Sequence, residues 1–264
     1  MNLQSETEFF HDISPKVRAL VESYEGKASI AKYKDRSGDF ATEIDVAVEN
    51  LIVNEINTRF PDDAILAEEG HSNTKIPDSR IWIIDPICGT TNLGRGLTSF
   101  CTNIALAYNH ELIASCVIDH SQNDYFWSVG NKEVYVNNIV HEYPQRHEKF
   151  GMVIDVDLGA LDSVTAEQKK KHFAAALTLS ADSGCMLQSL NSSLPFAYAA
   201  IGKIDGFINV DNHPWDICAG SFLLQQSGGL ITAYDGSPWT LSSTGAIAAH
   251  NPRIHKKLLA CFNN

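Results

Sequence analysis

The sequence predicts a mixed α/β protein, and three observations carry that expectation. Segments with apolar residues at helical spacing alternate with short β-branched and aromatic runs bounded by turn residues. Residues 100–136 hold four short apolar runs separated by Asn109-His110, Ser121-Gln122-Asn123 and Gly130-Asn131, the pattern of an antiparallel meander. With 264 residues and 44% hydrophobic content, the chain can bury one large core or two fused ones.

In chain order, residues 5–24 place Phe9, Phe10, Ile13, Val17, Leu20 and Val21 on one stripe, a first amphipathic helix. Residues 26–40 are polar and turn-rich and read as a loop whose basic residues, Lys34 among them, face solvent. Thr42 opens a second helix with Val48, Leu51, Ile52 and Ile56 on its apolar face. Asp45 falls near its start, where a carboxylate offsets the helix dipole. Residues 64–67 form a short strand that ends in Glu68-Glu69-Gly70. Adjacent carboxylates repel, so this pair is either solvated, the simpler reading, or held by a cation.

The stretch Ile81-Trp82-Ile83-Ile84-Asp85-Pro86-Ile87-Cys88-Gly89-Thr90-Thr91-Asn92 is the centre of the sequence. Its β-branched and aromatic run is a buried strand expected to stop at Asp85-Pro86, because Pro has no N–H for a ladder. Gly89 allows a tight turn, and Thr90, Thr91 and Asn92 suit a helix start. A strand tip bearing Asp, followed by a Gly turn and free backbone N–H groups, can hold a cation beside an oxyanion. The alternative is an ordinary strand-turn-helix junction with a capping Asp.

Beyond the meander a second half begins near residue 150. It contains a strand at 151–156, helices at 165–178 and 193–201, and a strand at 206–210. Residues 214–226 then form a helix with Asp216 in its first turn, again a position that dipole compensation alone explains. Short strands at 230–233 and 246–249 and a helix from Pro252 complete the chain.

Twenty basic against thirty-two acidic residues leave a formal charge of −12, which disfavours nucleic acid and acidic membranes as partners. No stretch approaches the ~18 apolar residues of a membrane span, and the N-terminus lacks a basic start and an apolar core, so a cytoplasmic location is expected. Six cysteines lie scattered without CxxC pairing, which excludes a zinc ribbon and leaves most of them as small buried hydrophobes.

Three strings in order resemble the signatures of the inositol monophosphatase family: Ala67-Glu68-Glu69-Gly70, Trp82 through Asn92, and Trp215-Asp216-Ile217-Cys218-Ala219-Gly220 with Gly228-Gly229. The spacing from Lys34 through Thr42 to Asp45 is also similar, so the resemblance spans nearly the whole chain. It implies one domain over 1–264, with sub-domains of roughly 1–145 and 146–264, folded as the layered α-β-α-β-α sandwich shared with fructose-1,6-bisphosphatase. It also implies a homodimer and a Mg²⁺-dependent phosphatase, with Mn²⁺ as an alternative ion, acting on a small phosphorylated metabolite. Carried over residue by residue, Glu68, Asp85 and the Ile87 carbonyl correspond to ligands of a first ion, all hard oxygens. Asp85, Asp216 and position 88 correspond to ligands of a second. Thr90 and Asp45 resemble the pair that orients the attacking water, Lys34 a lysine near the metals, and the N–H groups of Gly89 and Thr90 the phosphate cradle.

Two departures stand out. Cys88 occupies the place of an Asp in the family motif, and a thiol is a soft ligand poorly suited to Mg²⁺. In the substrate region Asn191-Ser192-Ser193 and Asn209 replace the family's usual small residues and acid, so the identity of the substrate stays open among inositol, polyol, sugar and histidinol phosphates. The alternatives to a phosphomonoesterase are a nucleotide 3′-phosphatase and a catalytically impaired dimeric interaction module.

Overall fold

The computed structural model describes residues 3–24, 30–33, 40–144, 151–159 and 164–262. The element order is α1 (Gln4–Ser23), β1 (Ile30–Tyr33), β2 (Phe40–Thr42), α2 (Glu43–Arg59), β3 (Ala64–Ala67), β4 (Ile81–Cys88), α3 (Thr90–Gly94), β5 (Cys101–Tyr108), β6 (Glu111–Asp119), β7 (Asp124–Ser128), β8 (Tyr135–Val136) and β9 (Ile139–Val140). It continues with β10 (Met152–Val156), α4 (Ala166–Ser180), β11 (Cys185–Gln188), α5 (Leu194–Ala200), β12 (Gly206–Asn209), α6 (Pro214–Gln226), β13 (Leu230–Thr232), β14 (Ala246–Ala249) and α7 (Pro252–Phe262).

The layering follows from the two-residue period of the strands. On β4, Trp82 and Ile84 point to one face and Ile81 and Ile83 to the other. Trp82 and Ile84 join Ile104 and Leu106 of β5 against Phe9, Phe10, Ile13 and Val17 of α1 and Ile44, Val48, Ile52 and Ile56 of α2. The opposite face packs on α5 and α6, whose other side rests on Phe207 of β12 and Ala246 and Ala248 of β14. Ile154, Val156, Ile208 and Ile247 then face α4 and α7 through Ala175, Leu179, Leu258 and Phe262. The order is therefore α1/α2, seven-stranded sheet, α5/α6, five-stranded sheet, α4/α7, which is the expected α-β-α-β-α sandwich. Because α6 lies between two sheets, it is apolar around most of its circumference, and it approaches α5 so closely that a Cβ at Gly220 would sit 2.3 Å from that of Phe196.

The seven-stranded sheet runs β3-β4-β5-β6-β7-β8-β9, parallel at β3/β4 and antiparallel from β4 onward, so the expected meander is present. The other sheet runs β11-β10-β12-β14-β13, with parallel pairs β10/β11 and β10/β12. Three expectations require correction. The strand does not stop at Asp85-Pro86: β4 continues to Cys88, because the register with β5 shifts between Asp85 and Cys88 and a bulge accommodates a residue that cannot donate. Residues 26–40 are not loop throughout, since β1 and β2 pair antiparallel there. The polar residues around them mask the β-forming Ile30, Tyr33 and Phe40. Finally β11, which the sequence did not signal, adds an edge strand.

Away from the centre, the indole N–H of Trp82 donates to Asp63 at 2.8 Å, and Arg80 bridges Asp63 (2.9 and 3.0 Å) and Glu6 (2.7 Å). This network fixes the start of β4 to α1. The bulge at its far end is thereby held at a constant place.

Candidate active site

Several elements end at one place between the two halves. The bulge of β4 delivers Asp85, Ile87 and Cys88; the end of β3 delivers Glu68; the first turns of α2 and α6 deliver Asp45 and Asp216. Among the described residues, Asp85, Cys88 and Asp216 form the group whose ligand atoms all lie within 4.8 Å of one another. Asp85 is 1% exposed, and its Oδ1 is buried with no hydrogen-bond partner. A buried carboxylate oxygen without a donor is costly, and a cation answers it. The residues therefore fit a divalent ion.

Electrostatics agree with the geometry. Burial first, then the nearby Cys88, Glu68 and Asp216, raise Asp85 well above the usual carboxylate range. Burial and the charge of Glu68 push Asp216 up to about 7. Glu68 therefore shares the pocket with both. The Glu68-Glu69 pair is half-buried rather than freely solvated, which corrects the simpler reading of that pair. The turn carrying it is held from below by Glu49 of α2, 4% exposed, which accepts from the N–H groups of Glu69 and Gly70 at 2.7 Å each.

Gly89 adopts φ +98, a left-handed conformation, and a Cβ there would meet the Ser99 carbonyl at 2.9 Å. The turn aims Thr90 back at α2: its hydroxyl donates to Asp45 Oδ1 at 2.8 Å and lies 3.1 Å from the Ile87 carbonyl. Asp45 is fully buried and also accepts from the N–H and hydroxyl of Thr42, the cap of α2. Burial dominates these donors and raises its pKa. Asp216 plays the same local part in α6, accepting from the His213 N–H at 2.7 Å. Both acids thus sit in the first turn, where the simpler reading places them to offset the dipole, and each also closes a capping box. Each keeps a second oxygen for the site.

Cys88 sits opposite Cys101 across the β4/β5 pair, and its sulfur accepts the Ser193 N–H at 3.1 Å. That bond ties β4 to the loop holding Asn191, an exposed residue in the left-handed region at φ +51. Asn92 of α3 pins the same loop by donating to the carbonyls of Leu190 (2.7 Å) and Ser99 (2.6 Å). Asn209 is 3% exposed and is spent on neighbours: its amide donates to Asp157 Oδ2 at 2.5 Å and accepts from the Asp211 N–H at 3.2 Å. Asp157 is near enough to Asp216 for its charge to raise that group. Lys34 lies outside the described residues. Glu49, Asp155 and Asp157 carry no expectation from the sequence, although an acid inside the apolar run Met152–Val156 is an available signal.

A profile of the inositol monophosphatase family matches residues 2–264. The chain belongs to that family. It is 29% identical over 237 residues to the inositol-1-monophosphatase of Synechocystis sp., covering 88% of this chain and 80% of that protein. It is 28% identical over 246 residues to the Nus factor SuhB of Escherichia coli K12, covering 91% and 89%. The Thermotoga maritima IMPase superimposes with a TM-score of 0.84 at 26% identity, covering 98% of this chain and 97% of that one. The family fold expected from the three motifs is thus present. Among the described residues no helix is long and apolar enough to cross a membrane.

Proposed function

We propose that this family member hydrolyses a small phosphate monoester, of the inositol, polyol, sugar or histidinol phosphate class, by direct attack of water. The observation that carries the reading is the joint placement of two features: the donor group Asp85, Cys88 and Asp216 within 4.8 Å, with an orphaned Asp85 oxygen, and the Thr90–Asp45 hydrogen bond on the same turn. Glu68, Asp85 and the Ile87 carbonyl would hold one Mg²⁺, and Asp85, Cys88 and Asp216 a second ion. When bound, such ions neutralise the phosphate, lower the pKa of water and stabilise the leaving alkoxide.

The chain's own residues supply orientation. With its proton committed to Asp45 Oδ1, the Thr90 oxygen presents lone pairs outward and accepts a hydrogen bond from the attacking water, which Glu68 helps to hold. Asp45 keeps the hydroxyl in that direction because Thr42 already saturates its other oxygen. The N–H groups of Gly89 and Thr90 cradle phosphate oxygens, and Lys34 adds positive charge. Displacement is in line, with no phosphoenzyme. Asn191 meets the alcohol part of the substrate, and Asn209, buried and committed to Asp157, supports that side of the site from behind.

Phosphate release from a panel of monoesters with Mg²⁺, Mn²⁺ or chelator tests this, with Thr90→Val beside the wild type. Cation-dependent release that falls ~10²-fold or more in Thr90→Val is expected, the scale of losing one water-orienting group. A second reading, a dimeric interaction module with impaired turnover, is favoured specifically by Cys88. Release absent from every ester and ion would select it. We also infer a homodimer in the cytoplasm, for which the exposed Phe173 and Leu177, one turn apart on α4, offer apolar surface. A sedimentation mass of one chain at micromolar concentration would refute the dimer.

A further inference from the structure

We propose that the position framed by Asp85, Cys88 and Asp216 is a mixed sulfur–oxygen site that takes a thiophilic divalent ion of the Zn²⁺ class in preference to Mg²⁺. The inference deepens the proposed function and rests on it for the presence of a metal centre. What it adds is the identity of the second ion, which makes the centre chemically unequal: oxygen-only around Glu68, Asp85 and Ile87, sulfur-containing beside it.

Three features of the site carry the argument. First, one ligand atom from each of the three residues falls within 4.8 Å of the others, a grouping that small side-chain rotations would close onto one ion at about 2.3 Å from sulfur and 2.0–2.2 Å from carboxylate oxygen. Second, Asp85 is almost fully buried with Oδ1 lacking any donor, so the pocket contains an unmet demand for positive charge that no described side chain fills. Third, the Cys88 sulfur is placed rather than merely present. Its strand position is fixed opposite Cys101, and the Ser193 N–H points at it from 3.1 Å, the outer-sphere donor that supports a thiolate bound to a metal. Cys101 stands outside the donor group: its side chain touches that of Cys88, and Asn103 Oδ1 and Ser193 Oγ each lie 3.7 Å from its sulfur.

Mg²⁺ demands near-octahedral oxygen ligands and sheds water reluctantly, so replacing a carboxylate by sulfur removes a ligand it uses and offers one it does not. Zn²⁺ binds sulfur and carboxylate together and accepts four ligands. Two carboxylates, one sulfur and one solvent or substrate oxygen make up that number.

Co²⁺ is the probe, because it occupies Zn²⁺ sites and a thiolate bound to it produces near-ultraviolet charge-transfer absorption. Metal-free full-length protein is titrated with Co²⁺ while calorimetry follows binding. The proposal expects the absorption in the wild type and in Cys101→Ser, its loss in Cys88→Ser, its bleaching by stoichiometric Zn²⁺, and its persistence in about 1000-fold excess Mg²⁺. Cys88→Asp should bind Co²⁺ without the absorption and release it to Mg²⁺. Co²⁺ binding without charge transfer, no Co²⁺ binding, absorption that survives Cys88→Ser, or bleaching by Mg²⁺ would each overturn it. A parallel phosphate-release assay separates the two readings. Absorption without hydrolysis removes the phosphatase and keeps the site, whereas hydrolysis in Mg²⁺ without absorption does the reverse.

Discussion

Replacing Cys88 by Asp should cost stability in the absence of Mg²⁺ and recover most of that loss in its presence. The new carboxylate enters a pocket that already contains Glu68, Asp85 and Asp216, with ligand atoms of the last two within 4.8 Å of the Cys88 sulfur. At that distance and an effective dielectric near 20, each pair of full charges costs about 3.5 kcal/mol. Proton uptake by Asp85 and Asp216, both already raised, relieves much of this. A net loss of about 2–3 kcal/mol at pH 8 remains, or roughly 5–10 °C in Tm for a chain of this size. The loss shrinks toward pH 5, where the carboxyls carry protons. In saturating Mg²⁺ the added carboxylate becomes a hard ligand. Mg²⁺ affinity should rise ~10- to 100-fold, equivalent to ~1.4–2.7 kcal/mol. Thermal melts at pH 5 and 8 with and without Mg²⁺, beside a calorimetric Mg²⁺ titration, check both halves. Equal Tm changes with and without Mg²⁺, or unchanged Mg²⁺ affinity, would refute the assignment of position 88 to a metal site.

Other consequences follow from residues around the site. Glu49→Ala removes the acceptor for two backbone N–H groups, of Glu69 and Gly70, and should cost about 2–4 kcal/mol while weakening metal binding through the displaced Glu68; denaturant melts and a metal titration read the two effects. Asp155 is fully buried and pushed up to about 7, chiefly by burial. Since its folded pKa exceeds the ordinary value of 3.8, the native state binds the extra proton between those values, and stability falls as pH rises from about 4 to 7. Asp155→Asn keeps an acceptor for the Leu190 N–H without that proton, so it should stabilise by about 2–4 kcal/mol at pH 8 and be nearly neutral at pH 4. A variant equally stabilised at both pH values would contradict this origin.

How much was legible in the sequence depended on whether a feature was local. The stripe of Phe9, Phe10, Ile13 and Val17 marks α1 without help from the rest of the chain, and Gly89 followed by Thr90 marks the turn that aims the Thr90 hydroxyl at Asp45. The extension of β4 past Pro86 was not legible, because whether a strand tolerates Pro depends on its partner's register, and the bulge opposite β5 is a tertiary fact. Similarly, β11 is a short edge strand whose pairing with β10 is parallel and nonlocal. In the site itself, the place of Asp45 and Asp216 in the first turn of a helix is explained locally by dipole compensation, and the capping boxes they close are seen only in the structure. That Asp216 comes beside Asp85, and Asp45 beside Thr90, emerges only from the tertiary fold. Glu49 carried no signal at all, since one acid on a helix is ordinary until the turn it holds is seen.

The central claim is that this family member is a cation-dependent phosphomonoesterase whose chemistry is organised by the β4 bulge. Its most direct test is the initial rate of phosphate release by metal-free protein on restoring Mg²⁺, Mn²⁺ or Zn²⁺, for wild type and Asp85→Asn across small monoesters. The account predicts release by the wild type with at least one ester and ion, none in chelator, and a loss of ~10²-fold or more in Asp85→Asn, which removes a ligand common to both ions. Release that persists in chelator, or that survives Asp85→Asn unchanged, would contradict it.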